Sequence, residues 1–269
     1  MILIKLGGSV ITDKSSYKRF SKDVVSRLCR EIKDSGKDVM IVHGAGSFGH
    51  VIAKEFELQK GHIRDDQIDA VAKVSRDVRE LNLLVMNELI EAGIPAVSIP
   101  TGSCFIMDGG ELEMSDDKLV FSDGELVTNN EILSGYLKLG IVPVMFGDVI
   151  LDRKKGFGIC SGDTIMGALT NMFSPEMVVF VSDIDGLYDR DPKVSKDAKL
   201  IADVNEKVLG SIPEEITVAD VTGGVRSKMK IMLSLCSNSR DCILVNGMVN
   251  GRLNTLLKGG NVVCTRARR

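Results

Sequence analysis

Tryptophan is absent from this 269-residue chain, aromatic residues make up 4% of it, and histidine occurs three times. Without aromatic side chains there is no platform on which successive bases can stack, which argues against a single-stranded nucleic-acid binder. An excess of positive charge is missing as well. Lys plus Arg number 34 against 37 Asp plus Glu, a net charge of −3, so the basic face that duplex binding requires is not available. The six cysteines (Cys29, Cys104, Cys160, Cys236, Cys242 and Cys264) never fall as CxxC, and the histidines show no metal-ligand spacing, which excludes a zinc site. Several of these cysteines sit inside apolar runs, where the thiol acts as a small hydrophobe; reduced thiols and a cytoplasmic protein are expected. No apolar stretch approaches the ~20 residues that span a bilayer. The strand-like start with Lys5 does not read as a signal peptide. A GxxxxGK[ST] motif is also lacking, so this is not a P-loop protein.

Glycine, by contrast, is plentiful and placed. Residues 1–14 read MILIKLGGSVITDK and residues 39–50 read VMIVHGAGSFGH. In each, an apolar, β-branched run stops in a glycine cluster, the pattern of a buried strand emptying into a loop made mostly of backbone. Glycine lets a ligand approach main-chain N–H groups, and two such loops at neighbouring strand ends can hold a large anion between them. Gly44, Gly46 and Gly49 also spell GxGxxG. A dinucleotide site needs a following strand that ends in an acidic residue about 20 residues on. Here residues 51–66 read as polar and irregular, and a long helix follows, so a Rossmann dehydrogenase is set aside.

Hydrophobic residues make up 44% of the chain, enough for a full core in one large domain. Strands are expected at Ile2–Leu6, Val39–Val42, Ala96–Ile99, Ile141–Phe146, Met177–Val181, Cys242–Val245 and Asn261–Thr265. A helix with Ser21 as cap and Gly36 as stop follows the first loop, and a long one covers Asp66 to Ala92. Asn129 can cap a helix to Leu139, Ser161–Gly162–Asp163 opens one through Phe173, Gly223–Gly224 opens one to about Ser237, and a short one follows Asn250. Turn signals between residues 103 and 127 indicate small antiparallel strands. The βα alternation predicts a three-layer αβα sandwich around a mainly parallel sheet, with an antiparallel hairpin region. Ligands in such sheets sit beyond the carboxyl ends of the strands, where the glycine clusters fall. A single domain with two lobes is expected.

Five segments occur in order: Lys5-Leu6-Gly7-Gly8-Ser9, His43-Gly44-Ala45-Gly46-Ser47-Phe48-Gly49-His50, Ser161-Gly162-Asp163, Ser182-Asp183-Ile184-Asp185-Gly186-Leu187-Tyr188, and Asp220-Val221-Thr222-Gly223-Gly224 followed by Lys228. This set resembles the amino-acid kinase superfamily over nearly the whole chain. KLGGSVITDK together with GxGSFGH, through Lys14 and His50, is similar to its isopentenyl phosphate kinases, with Ala45 standing where the family often carries glycine. The resemblance implies the amino-acid kinase fold, ATP as phosphoryl donor, Mg²⁺ carried on the ATP phosphates, a homodimer, and phosphorylation of isopentenyl phosphate in an alternative mevalonate route to isoprenoids. It implies an acceptor lobe to about residue 155 and a nucleotide lobe beyond. Two rivals stand beside it: a phosphonate kinase such as fosfomycin kinase, and a nucleotide-binding protein of the same fold without turnover.

Lys5 ends its strand, so its ammonium can reach phosphates held over Gly7 and Gly8; alternatively it is a solvated strand-end lysine. By spacing alone Lys14 is a surface charge; the resemblance makes it a cation that stabilises the transferred phosphoryl group. Lys228, one turn into its helix, adds a positive charge near ATP or is simply exposed. By resemblance, the His50 imidazole hydrogen-bonds the acceptor phosphate. A phosphate monoester with a second pKa near ~6 is already nucleophilic at neutral pH, so it requires orientation and no general base. Asp163 is a helix cap, a group that holds Lys5 and Lys14, or both. The resemblance places Leu6, Ser9, Ala45, Asp183, Asp185, Tyr188 and Gly224 around the nucleotide, and Gly44, Gly49 and Gly147 around the acceptor. His43 reads as structural and His62 as exposed. Val78, Leu81, Val85, Ile99 and Phe105 are candidates for the acceptor-tail pocket. No carboxylate cluster presents itself as a metal site.

Overall fold

The computed structural model describes residues 1–13, 15–109, 112–115, 118–121, 127–128, 130–190, 195–212, 224–237 and 240–268, with backbone alone for those between 112 and 131 and for 224–225. Lys14, Asn129 and the segment Asp220–Gly223, each singled out above, lie outside the described residues.

Eight strands form the central sheet, in the spatial order Asp203–Val204, Cys264–Ala267, Asp241–Asn246, Met177–Ser182, Ile2–Leu6, Val39–His43, Val142–Phe146 and Ala96–Ser98. Neighbours run parallel except where Asp241–Asn246 meets Cys264–Ala267. Every residue of ILIKL and of VMIVH is buried, as expected where helices cover both faces of a parallel sheet. Side chains along a strand alternate between faces. Ile2, Ile4 and Leu6 pack with Val25, Leu28 and Ile32 of the helix Lys22–Ser35, with Leu81, Val85 and Leu89 of the long helix Asp66–Glu91, and with Leu253 and Leu256 of the helix Arg252–Leu257. Leu3 instead joins Ile165, Met166 and Leu169 of the helix Gly162–Phe173, together with Met229 and Met232 of the helix Gly224–Leu235. The result is the expected three-layer αβα arrangement. The same alternation sends Lys5 to the face of Leu3, toward the helix Gly162–Phe173.

Gly36 (φ 65°) and Gly93 (φ 76°) end helices in the left-handed conformation that glycine tolerates. Ser21 holds the cap position of Lys22–Ser35 without a side-chain capping bond. Within 103–127, Phe105–Ile106 pairs antiparallel with Val127–Thr128, and Leu112–Ser115 with Lys118–Phe121.

Beyond short additions such as the edge strand Asp203–Val204 and the helix Glu206–Ser211, the structure differs from the sequence expectation at three places. Residues 51–66 are not irregular: a helix runs Gly46–Glu55 and a 3₁₀ turn covers Leu58–Lys60. Its glycines weaken the local helical signal, and packing supplies what propensity does not. Ala53, Leu58, Val74, Val78, Phe146 and Phe157 form a third apolar cluster between this helix and the long one. An antiparallel hairpin, Asp148–Asp152 with Gly156–Cys160, follows Gly147 where no element was expected. Its turn is held by Asp152, whose Oδ1 accepts from the amides of Lys154 and Lys155 at 2.8 Å. The final strand is Cys264–Ala267, shifted along the chain from Asn261–Thr265.

His43 is structural, as read. It is fully buried, stacks on Phe146 with ring centroids 5.4 Å apart, donates from Nδ1 to the Gly44 carbonyl (2.9 Å) and accepts at Nε2 from Asn82 (3.1 Å). Ser98 completes the relay by donating to Asn82 Oδ1. Both ring nitrogens are used by a neutral imidazole, and burial pushes its pKa down to about 4 against the opposing pull of the Gly44 bond. A group with a depressed folded pKa stabilises above its unfolded value and loses that contribution as pH falls. The stability difference between the native chain and His43→Gln should therefore shrink by up to about 3 kcal/mol from pH 6.5 to pH 4. Urea denaturation at intervals of pH measures it; groups that titrate alike in both proteins cancel, and a constant difference contradicts a neutral buried His43.

Candidate active site

Three adjacent parallel strands end in glycine at their carboxyl ends: Gly7, Gly44 and Gly147. Their amides are not available to a ligand. Gly7 N–H donates to Val181 O (2.9 Å), Gly44 N–H to Leu6 O (3.0 Å) and Gly147 N–H to His43 O (3.0 Å), extending the sheet ladder one residue beyond each strand. These glycines are needed for close approach. A Cβ on Gly7 would stand 2.6 Å from Val181 O, one on Gly44 2.9 Å from Gly8 N, and one on Gly147 3.3 Å from Gly162 N. The general expectation that loop glycines open their amides to a ligand therefore does not extend to Gly7, Gly44 and Gly147.

The two loops meet at Gly8 and Gly46. A Cβ on Gly8 would lie 2.7 Å from Gly46 Cα, and Gly46 has φ +50°. Gly8 opens the short helix Gly8–Ile11 and Gly46 opens Gly46–Glu55. Val10 and Ile11 N–H already turn back to Gly7 O, and Phe48 and Gly49 N–H to Ala45 O, so the donors the two loops can present come from the first residue of each helix, at Gly8 and Gly46. Thr12 fastens them: its buried hydroxyl donates to Gly8 O (2.7 Å) and accepts from Ser47 N–H (3.0 Å). Sequence reasoning missed Thr12, since nothing marks a threonine leaving a glycine loop as a bridge.

Lys5 is 8% exposed. Its ammonium lies 2.5 Å from Asp163 Oδ1 and 5.8 Å from the Phe180 ring centroid. The lysine stem passes where a Cβ on Gly162 would be, 3.0 Å from Lys5 Cε. Asp163 is not the helix cap. Ser161 takes that position, accepting from Thr164 N–H at 3.1 Å, and Asp163 is left to pair with Lys5. Burial alone would raise the Asp163 pKa, but Lys5, Lys228 and His50 together hold it below the usual carboxylate range. Residues 5, 50, 163 and 228 thus share one electrostatic site. His50 is exposed on Gly46–Glu55, and Lys228, on Gly224–Leu235, reaches Ser182 Oγ at 3.4 Å.

Around the next strand exit, Asp183 accepts from Ser9 Oγ (2.6 Å) and Ser182 Oγ (3.3 Å). The Asp185 carboxylate is occupied within the protein by Arg252, by Asn246 (3.0 Å) and by Tyr188 (3.4 Å). Burial would raise its pKa, but these donors outweigh burial and hold it low. Asp185 therefore ties the exit loop to the strand Asp241–Asn246 and the helix Arg252–Leu257. Arg252 and Asn246 carry no local sequence signal for that role. The Leu6 side chain is fully buried in the core, leaving only its backbone at the loop. The Ala45 methyl lies against Gly49, 2.7 Å from where a Gly49 Cβ would stand, and Gly49 in turn packs on Val78. Gly49 thus brings two helices together. Among the tail candidates, Val78 is the one that packs against Gly49. Leu81 and Val85 pack under the sheet, and Ile99 and Phe105 belong to the cluster on its other face. Asp148 is buried beside Arg79 (3.0 Å), and burial pushes its pKa up to about 6. His62 is exposed, tilted against Phe157. Among the described residues no group of three His, Cys, Asp or Glu side chains forms a metal cage, and no helix is long and apolar enough to cross a membrane.

Comparison with known proteins identifies the family. Residues 1–246 match the model of the amino acid kinase family. The isopentenyl phosphate kinase of Methanothermobacter thermautotrophicus is 34% identical, with 99% of this chain and 98% of the relative aligned. That of Thermoplasma acidophilum is 33% identical over 92% of each. A solved isopentenyl phosphate kinase superposes with a TM-score of 0.81 at 30% identity, covering all of both chains. The chain belongs to the amino acid kinase family.

Proposed function

We propose that this protein transfers the γ-phosphoryl group of ATP to isopentenyl phosphate, giving isopentenyl diphosphate and ADP. The observation that carries this reading is the Lys5–Asp163 ion pair beside the Gly8–Gly46 contact, with Lys228 and His50 acting electrostatically on the same carboxylate. It supports a site for two phosphorylated reactants placed head to head, in accord with the named activity of the relatives aligned along the chain.

In this scheme the first-turn amides at Gly8 and Gly46 receive phosphate oxygens. Lys5, held in place by Asp163, and Lys228 neutralise charge on the donor. His50 orients the acceptor phosphate, whose oxygen attacks the γ-phosphorus in line as the bond to the ADP oxygen breaks. Positioning and charge compensation suffice, because the acceptor oxygen is already ionised. Lys14 supplies the remaining cation at the transferred group. Asp183 and the loop tied by Asp185 and Tyr188 border the nucleoside. Acceptor binding belongs to the lobe before about residue 155 and nucleotide binding to the lobe after it. Asp163 and Asp183 are already engaged by Lys5 and Ser9, which suits magnesium held mainly by ATP phosphates and water. Bound there, Mg²⁺ would offset charge on the phosphates. The six cysteines are all buried free thiols, which supports a cytoplasmic setting, and the family resemblance supports a homodimer.

An ADP-release assay with ATP and a panel of phosphates and phosphonates tests the substrate; preference for fosfomycin, or no turnover with any acceptor, contradicts the proposal. His50→Ala should lower kcat by about 10²-fold or more with ATP affinity nearly unchanged, whereas near-native turnover removes His50 from the mechanism. Lys14→Met should reduce kcat by about 10²-fold and ATP affinity much less; a loss confined to nucleotide binding rules out its role at the transferred group.

A further inference from the structure

The segment between Ile11 and Ser21 leaves the first glycine loop and returns to it. Thr12 and Phe20 pair as an antiparallel bridge, Asp13 N–H donates to Arg19 O, and Ser21 N–H donates to Ile11 O, both at 2.9 Å. Tyr17 and Lys18 lie at the far end of this loop, whose sequence includes Lys14.

Both residues are held by one carboxylate. Asp77 lies within the long helix, has no exposed surface, and receives the Tyr17 hydroxyl, the Lys18 ammonium at 3.2 Å and Arg76 Nε at 2.9 Å. A buried carboxylate in the middle of a helix is costly unless it is paired. Lys18 also bonds Glu80 one turn further on, and stands 5.8 Å from the ring centroid of Phe48. Its φ of 58° is a conformation that lysine adopts when its surroundings impose it. Phe48 precedes His50 by two residues in the helix Gly46–Glu55, and Val78, next to Asp77, packs beneath Gly49. The loop, the helix that bears His50 and the long helix therefore meet at Asp77.

We infer that Asp77 is a positioning residue that, through Tyr17 and Lys18, clamps the loop between Thr12 and Phe20 against the helix that bears His50. The inference rests on the transfer reaction proposed above. A residue that only holds the loop should alter the transfer step and leave both substrates bound as before, because the scheme above gives it no contact with either.

Two variants test this. Tyr17→Phe removes one bond at a half-exposed side chain, and Asp77→Asn removes the charge while keeping the shape. With ATP and isopentenyl phosphate, kcat should fall about tenfold in Tyr17→Phe and about a hundredfold in Asp77→Asn, with both KM values within about twofold of native. Limited trypsin cleavage after Lys18 or Arg19 should be several-fold faster in Tyr17→Phe than in the native chain at equal thermal stability. Native kcat in Tyr17→Phe, a loss seen only in KM, or faster cleavage with unchanged kcat each overturns the inference, whether or not Asp77→Asn folds. If the native chain does not phosphorylate isopentenyl phosphate, the preceding proposal fails. The cleavage rates still decide the clamp in that case, and equal rates in Tyr17→Phe and the native chain overturn it.

Discussion

The contact between Gly8 and Gly46 is the constraint on which the rest of this site depends. Backbone from two loops approaches to a distance that no Cβ permits, 2.7 Å from the position Gly8 would give one. Only at that separation do two helix starts present their donors together, and only there can the Thr12 hydroxyl reach both Gly8 O and Ser47 N–H. The neighbouring glycines serve the same end. Gly7, Gly44 and Gly147 give their amides to adjacent strands and hold the loop bases flush with the sheet.

Charge is arranged around that platform by compensation. A nearly buried ammonium at Lys5 is costly unless it is paired, and Asp163 supplies the pair from the helix on the same face of the sheet. Asp163 in turn feels Lys228 and His50, so one carboxylate lies at the centre of this group of side chains. The pairing also keeps Lys5 aimed along its strand. Such preorganisation is what phosphoryl transfer needs from a protein, since the chemistry requires little covalent assistance.

Much of this was legible in the residue pattern, and the limits are instructive. Apolar runs bounded by glycine located the central strands, whereas the face that Lys5 occupies followed from the packing of Ile2–Leu6. Gly36 and Gly93 marked helix ends. The helix Gly46–Glu55 was obscured because glycine propensity argues against it, and its stability comes from packing on Val74 and Val78. The hairpin after Gly147 was obscured because its closing bonds come from the Asp152 side chain, which no apolar periodicity records. At the site, ordered motifs singled out Lys5, His50, Asp163 and Lys228 as candidates, and Asp163 was read partly as a cap that Ser161 provides.

From the sequence alone followed the layer architecture, the family resemblance and the identity of the charged groups near the strand ends. These depend on local periodicity and on short motifs, which neighbouring residues define among themselves. The tertiary structure decided which amides remain open, that Thr12 joins the loops, that Asp185 is filled by Arg252 and Asn246, and that Asp77 gathers Tyr17 and Lys18. Each of these is a hydrogen bond whose partner is set by strand register or helix packing, so its occupancy becomes known only when elements distant in the chain are brought side by side.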